Sequence, residues 1–324
     1  MRPDRGSVAS ARVGRRVQIR EFSRGDAAAA ADLLRVCAPH WLFTAESFVQ
    51  ELEGTPQRAR LRVLVAEEEG RIAGLADAML RWRAEDPGIG VVWACVHPDA
   101  RRRGIGSRLL EAAVAHVGAC GAHTLNTEAE PGSVGFAERH GFRRTRAEQL
   151  WELRPADADL SELPALEEAK AHEGFRVVPL RELLHRPREL HALYVEAEDD
   201  IPTDYPRGEL PYEEWERETL EKPLLDPDGS MNVVDADGRP VAFAWLLVDR
   251  AGRRAEHELT GTLRSHRNRG LARLAKLAAL RWARDAGVEV LLTGNDADNA
   301  PMLRINERLG YRPGPTWIEL ARPL

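Results

Sequence analysis

Two carboxylates, Glu256 and Glu258, stand just upstream of an arginine- and glycine-rich run, Thr262-Leu263-Arg264-Ser265-His266-Arg267-Asn268-Arg269-Gly270-Leu271-Ala272. In a strand, residues two apart point to one face, so both acids face the same way and His257 the other. The run after them opens an apolar helix. Unpaired N–H groups at a helix start favour an anion, and glycines remove the Cβ atoms that would keep a phosphate at a distance. A base beside a phosphate cradle is the chemistry these residue types offer. His257, on the opposite face, reads as structural.

The same cradle occurs 166 residues earlier, as Val96-His97-Pro98-Asp99-Ala100-Arg101-Arg102-Arg103-Gly104-Ile105-Gly106. Each copy needs a strand before it and a helix behind it. Residues 89–96 and 256–262 supply apolar, strand-like runs, and 107–117 and 271–286 the helical periodicity. Strand patterns at 61–66 and 72–80 flank a polar turn, as do 231–235 and 240–248. Short strands at 17–20 and 175–180 open the halves, and 148–153 and 317–320 close them with Trp-Glu-Leu and Trp-Ile-Glu-Leu. The order of elements recurs. We therefore expect a basic, disordered tail over 1–16, an N-terminal domain over 17–154, an acidic proline-containing linker over 155–173 and a C-terminal domain over 174–324.

The shared Arg-x-x-Gly-x-Gly/Ala pattern resembles the acyl-CoA pyrophosphate loop of the GNAT N-acetyltransferases. Both copies also end in a glycine-aromatic pair, Gly141-Phe142 and Gly310-Tyr311, similar to that family's second signature. The run from Thr293 through Asn295, Asn299 and Asn306 to Tyr311 resembles the tandem, mycothiol synthase-like subgroup. The resemblance implies an α+β fold, with a mixed, mostly antiparallel sheet flanked by helices present twice. It also implies acetyl-CoA as acyl donor. The donor would be held by Val96, Arg101, Arg102, Arg103, Gly104, Ile105 and Gly106 in one half. In the other it would be held by Leu263, Arg267, Asn268, Arg269, Gly270, Leu271, Ala272 and Asn299.

Acetyl transfer to an amine requires a base, and the first half offers none: residues 88–96 hold no carboxylate. The family's tyrosine position is Ala137 there, and its CoA-contacting asparagine position is Glu130. In the second half Glu256 lies eleven residues before Arg267, which matches the base position of several family members, and Asn299 stands where the asparagine is expected. The tyrosine position is Asn306, so the usual proton donor is absent; water, Ser265 and Tyr311 are the alternatives. Glu256, Glu258 and Asn306 are the candidate catalytic residues. An acidic stretch holding Asp199, Asp200 and Asp204 would draw a cationic amine.

Composition bounds the partners. At 324 residues, 43% hydrophobic and 30% charged, the chain suits two soluble domains. A net charge of −6 gives no reason to expect nucleic acid, and no apolar run is long enough for a bilayer. No signal-like h-region follows the N-terminal arginines, so a cytoplasmic monomer or homodimer is the expectation. Cys37, Cys95 and Cys120 lack metal-ligand spacing, and no metal is implied. Lysine occurs only at Lys170, Lys222 and Lys276 against many arginines, the bias of a GC-rich bacterial genome. The reading is an acetyl-CoA-dependent N-acetyltransferase of a small amine, working in its second half. The alternative is a non-catalytic acyl-CoA sensor or interaction protein.

Overall fold

The computed structural model describes residues 17–297 and 299–324; the tail over 1–16 and Asp298 lie outside the described residues. The first half runs β1 (Val17–Glu21), α1 (Ala27–Cys37), α2 (Ala45–Gly54), β2 (Arg62–Glu68), β3 (Arg71–Leu80), β4 (Ile89–Val96), α3 (Ile105–Ala119), β5 (Thr124–Ala129), α4 (Pro131–Arg139) and β6 (Arg143–Leu153). The segment read as a linker carries α5 (Leu163–His172), whose Leu163 is buried in the second core. The second half runs β7 (Arg176–Pro179), α6 (Pro187–Glu198), α7 (Tyr212–Trp215), β8 (Met231–Val234), β9 (Pro240–Asp249), β10 (Arg254–Thr262), α8 (Leu271–Asp285), β11 (Val290–Asp296), α9 (Ala300–Arg308) and β12 (Arg312–Pro323).

All twelve strands join one sheet, in the order β1-β2-β3-β4-β5-β12-β6-β11-β10-β9-β8-β7. The two closing strands have changed places. β12 pairs with β5 of the first half, and β6 pairs with β11 of the second. They also pair with one another at the centre, so the halves share a continuous ladder.

Directly opposed residues on neighbouring strands share a face. Following the register, Asp77 lies opposite Trp93, Val91 opposite Asn126, Glu128 opposite Glu319, Trp317 opposite Glu148, Glu148 opposite Asp296, and Leu292 opposite Glu256. Strand alternation links these pairs, so one face carries Asp77, Glu128, Glu319, Glu148 and Glu256. Helices α1 and α2 cover that face in the first half, where Leu34, Cys37 and Phe48 pack on Val65, Leu75 and Cys95. In the second half α6 and α7 cover it, with Tyr194 and Trp215 on Phe243 and Trp245. The opposite face is closed by α3 and α4 in one half and by α5, α8 and α9 in the other.

Candidate active site

The two cradles have the same backbone. In each, a single 3-10 turn follows the strand, one residue adopts positive φ (Arg102 at 63°, Asn268 at 61°), and a left-handed glycine (Gly104 at 79°, Gly270 at 76°) starts a 15-residue helix. Arg101 Nε donates to the Val96 carbonyl at 3.0 Å, and Arg267 Nε to the Thr262 carbonyl at 3.2 Å. A Cβ built at Gly104 or Gly270 would meet no protein atom within 4 Å, so the space above each helix start is open. This is a cradle that fits a pyrophosphate.

The strands entering the cradles differ. β4 pairs with β3 without interruption, whereas β10 breaks register with β9 between His257 and Leu259. The extra residue there is Glu258, and such a bulge re-aims its side chain. Beyond the paired stretches, residues 254–256 with 290–292 and 89–91 with 124–126, the parallel strands of each half part company and leave a gap below the cradle. Matching those stretches places Val91 where the second half has Glu256.

Glu256 and Glu258 both line a cavity of about 640 Å³ built by the two halves together. The first half gives it Glu51, Asp77, Trp93 and Glu128, and the second gives Glu218 and Lys222, while Trp317 and Glu319 of β12 close its middle. Hydrogen bonds across the halves hold it, among them Gln50 Nε2 to the Arg217 carbonyl at 2.9 Å and the Arg83–Glu198 ion pair at 2.7 Å. Burial raises the Glu256 pKa to about 8, with Glu258 adding to the shift. Asp77 and Glu148 are each raised to about 7, by burial and then by neighbouring carboxylates. Lys222 donates to Glu258 at 2.8 Å; burial opposes its charge, but Glu258 and the surrounding acids keep its pKa above the usual lysine value.

The other sequence candidates fall elsewhere. Asn306 is fully buried, with its amide between Lys276 Nζ (2.9 Å) and Asn295 Oδ1 (2.6 Å), on the face away from the cavity. Asn299 caps α9, accepting from the Met302 N–H at 3.3 Å. Asp200 pairs with Arg264 and Arg267 of the cradle, Asp204 stands 3.7 Å from Arg146, and Asp199 is exposed at the end of α6; none of the three lines the cavity. Arg269 reaches Glu173 at 3.1 Å, and Arg103 pairs with Glu68. Tyr311 hydrogen-bonds His257 Nε2 at 2.9 Å behind β10, and Ser265 is exposed against His266. Among the described residues, no His, Cys, Asp and Glu group is placed to hold a metal, and no helix is long and apolar enough to cross a membrane.

Two family models match the chain: an acetyltransferase (GNAT) domain over residues 59–144, and the acetyltransferase (GNAT) family over 188–311. The chain belongs to the GNAT acetyltransferases. It carries two GNAT domains in tandem. A mycothiol acetyltransferase of Nocardiopsis dassonvillei is 29% identical over 315 residues, covering 92% of this chain and 91% of the relative. One from Pseudarthrobacter chlorophenolicus is 28% identical over 227 residues, 68% of this chain and 67% of the relative. Among solved structures, a tandem GNAT protein from the clavulanic acid biosynthesis pathway aligns with a TM-score of 0.71 at 21% identity, over 95% of this chain and 98% of that one. A GCN5-related N-acetyltransferase from Sphaerobacter thermophilus gives 0.68 at 20%, over 95% of both chains.

Sequence reasoning found the Glu256 end of this GNAT cavity but missed its far wall. Asp77, Glu128 and Glu319 are single acids within strands, indistinguishable from solvent-facing ones until the register puts them on one covered face. The available signal was alternation: each is flanked by small or apolar residues, as in Ala76-Asp77-Ala78 and Glu128-Ala129.

Proposed function

We propose that this GNAT acetyltransferase moves an acetyl group from acetyl-CoA to a small cationic amine in the shared cavity, with the chemistry in residues 174–324. The domain over 17–154 would be a second donor site or a structural partner. One observation carries the reading: Glu256 stands in the cavity on the strand that feeds an intact cradle, where the first half has Val91.

The open space above Gly270 fits the donor's phosphates, with Leu263, Arg267, Asn268, Arg269, Leu271 and Ala272 flanking it in sequence, and Asn299 at the start of α9 is the remaining candidate to hold the donor. When bound, acetyl-CoA supplies the acetyl group as a thioester. Glu256 takes one proton from the acceptor ammonium, freeing the nitrogen lone pair to form the C–N bond. As the C–S bond breaks, the electron pair goes to sulfur, and the second nitrogen proton ends there through solvent. Amide and free thiol result, and Glu256 returns its proton to water. The raised pKa of Glu256 suits it to this exchange near neutral pH. The acids of the first half, on the same face, favour a cationic acceptor.

The relatives are named mycothiol acetyltransferases, and the mycothiol synthase-like resemblance implies a narrower acceptor, the cysteinyl pseudodisaccharide precursor of mycothiol. The test incubates the full chain with acetyl-CoA and a panel of amines that includes this precursor, polyamines and aminoglycosides, with products read by mass spectrometry. Product from one amine, lost in Glu256→Gln, is the expected result. Undiminished product in that variant would remove Glu256 as base, and no product in acetyl-CoA-binding protein would favour a sensor.

A further inference from the structure

Behind β10, on the face away from the cavity, lies a buried polar chain that the proposed reaction has not yet used. Lys276 of α8 is 1% exposed, and no carboxylate pairs with it among the described residues. Its Nζ donates to Asn306 Oδ1 at 2.9 Å and sits 5.3 Å from the centre of the Tyr311 ring. Asn306 Nδ2 donates to Asn295 Oδ1 at 2.6 Å. Tyr311 in turn meets His257 at 2.9 Å. Each donor therefore points one way, from Lys276 towards Asn295, near the end of β11 where that strand has parted from β10.

The first half is an internal control. Lys276 is the sixth residue of α8, and the sixth of α3 is Leu110. By the same matching, Asn306 corresponds to Ala137, Tyr311 to Phe142, Asn295 to Ala129 and His257 to Val92. All five counterparts are apolar and buried in one cluster. An apolar core at this place is thus compatible with the fold, and packing alone does not call for the polar chain. A desolvated ammonium without a counter-ion is costly, and burial draws the Lys276 pKa down to about 7. What it lacks is a negative charge nearby.

The proposed reaction generates one. A donor running from Gly270 to an amine beside Glu256 must pass through the gap between β10 and β11, with its sulfur next to the acyl carbon. We propose that Lys276 is the countercharge for the departing thiolate, acting through Asn306 and through Asn295, whose Nδ2 would donate to the sulfur in that gap. Lys276 is in this sense a positioning residue, and Asn295 the group that meets the sulfur. The inference rests on the reading of the second half as the donor site. Charge that is prearranged where it develops stabilises a transition state without reorganisation.

The experiment titrates the thiol of coenzyme A bound to the full chain, by the ultraviolet absorbance of the thiolate, with desulfo-coenzyme A as blank. The groups facing Lys276 are His257 of β10, Tyr311, and Asn306 of α9, so the same titration is run on Lys276→Met and Asn295→Ala. In the wild type the bound thiol should titrate about one unit lower than in either variant, roughly tenfold more thiolate at a given pH. Affinity for desulfo-coenzyme A should stay within about threefold, and the variants should lose kcat while KM for acetyl-CoA holds. Equal thiol titration in all three proteins overturns the proposal, as does a wild type that binds no coenzyme A. Asn295→Ala, at a half-buried position, carries the test if Lys276→Met does not fold. An amine panel without product beside an intact thiol shift would count against the proposed acceptor and for Lys276.

Discussion

Glu256 owes its character to position. Burial moves it to about 8, with the charge of Glu258 adding to the rise, and outweighs the backbone N–H that it accepts from Leu42 of the other half and the nearby Lys222 ammonium, both of which favour its charged form. A base must be deprotonated to work, so the free enzyme's kcat/KM should rise as pH passes through about 8, once the acceptor's own titration is allowed for. Glu256→Gln should remove that limb and lower kcat/KM by roughly 10²- to 10⁴-fold; a pH–rate profile of both proteins checks it. This residue was legible in the sequence because it lies a fixed distance from a cradle. Lys276 was not. A lysine on an amphipathic helix ordinarily reaches solvent, whereas this one is buried against Asn306 of α9 and the ring of Tyr311.

At the scale of elements, the cradles are alike and the strands beneath them are not. Gly270 and Gly104 share a positive φ and an open surround, so alanine at either costs about 1 kcal/mol of backbone strain without a clash inside the protein. The new methyl would stand where a phosphate approaches. Gly270→Ala should therefore weaken acetyl-CoA and raise its KM by about tenfold, while Gly104→Ala, with the same small loss of stability, leaves turnover unchanged. Steady-state kinetics beside thermal denaturation separate the two. Repeated cradles, helices and hairpins were readable because local periodicity and glycine placement encode them. The Glu258 bulge was invisible, since it exists only as a mismatch between β10 and its partner β9. So was α5, whose short acidic helix holds to α8 through Glu162–Arg273 and Glu167–Arg281 pairs rather than through a strong apolar stripe.

For the whole molecule, the exchanged strands decide how stability is shared. Each half's sheet is completed by the other half's closing strand, and β12 and β6 make the central pairing. Two independent domains would unfold in two steps. Here calorimetry should record a single cooperative transition, and deletion of residues 312–324 should destabilise both halves, exposing β5 and β6 together. The exchange could not be read from sequence: the closing Trp-Glu-Leu and Trp-Ile-Glu-Leu segments are near-equivalent, so the pattern alone does not say which edge each one joins.

The same exchange sets a timetable for synthesis. β5 leaves the ribosome roughly 180 residues before the strand that will cover it, about 10 to 40 s at ordinary elongation rates. β6 emerges early and must wait for β11. For that interval the nascent chain holds an open sheet edge of unpaired N–H and C=O groups, the feature that most readily recruits a neighbouring chain.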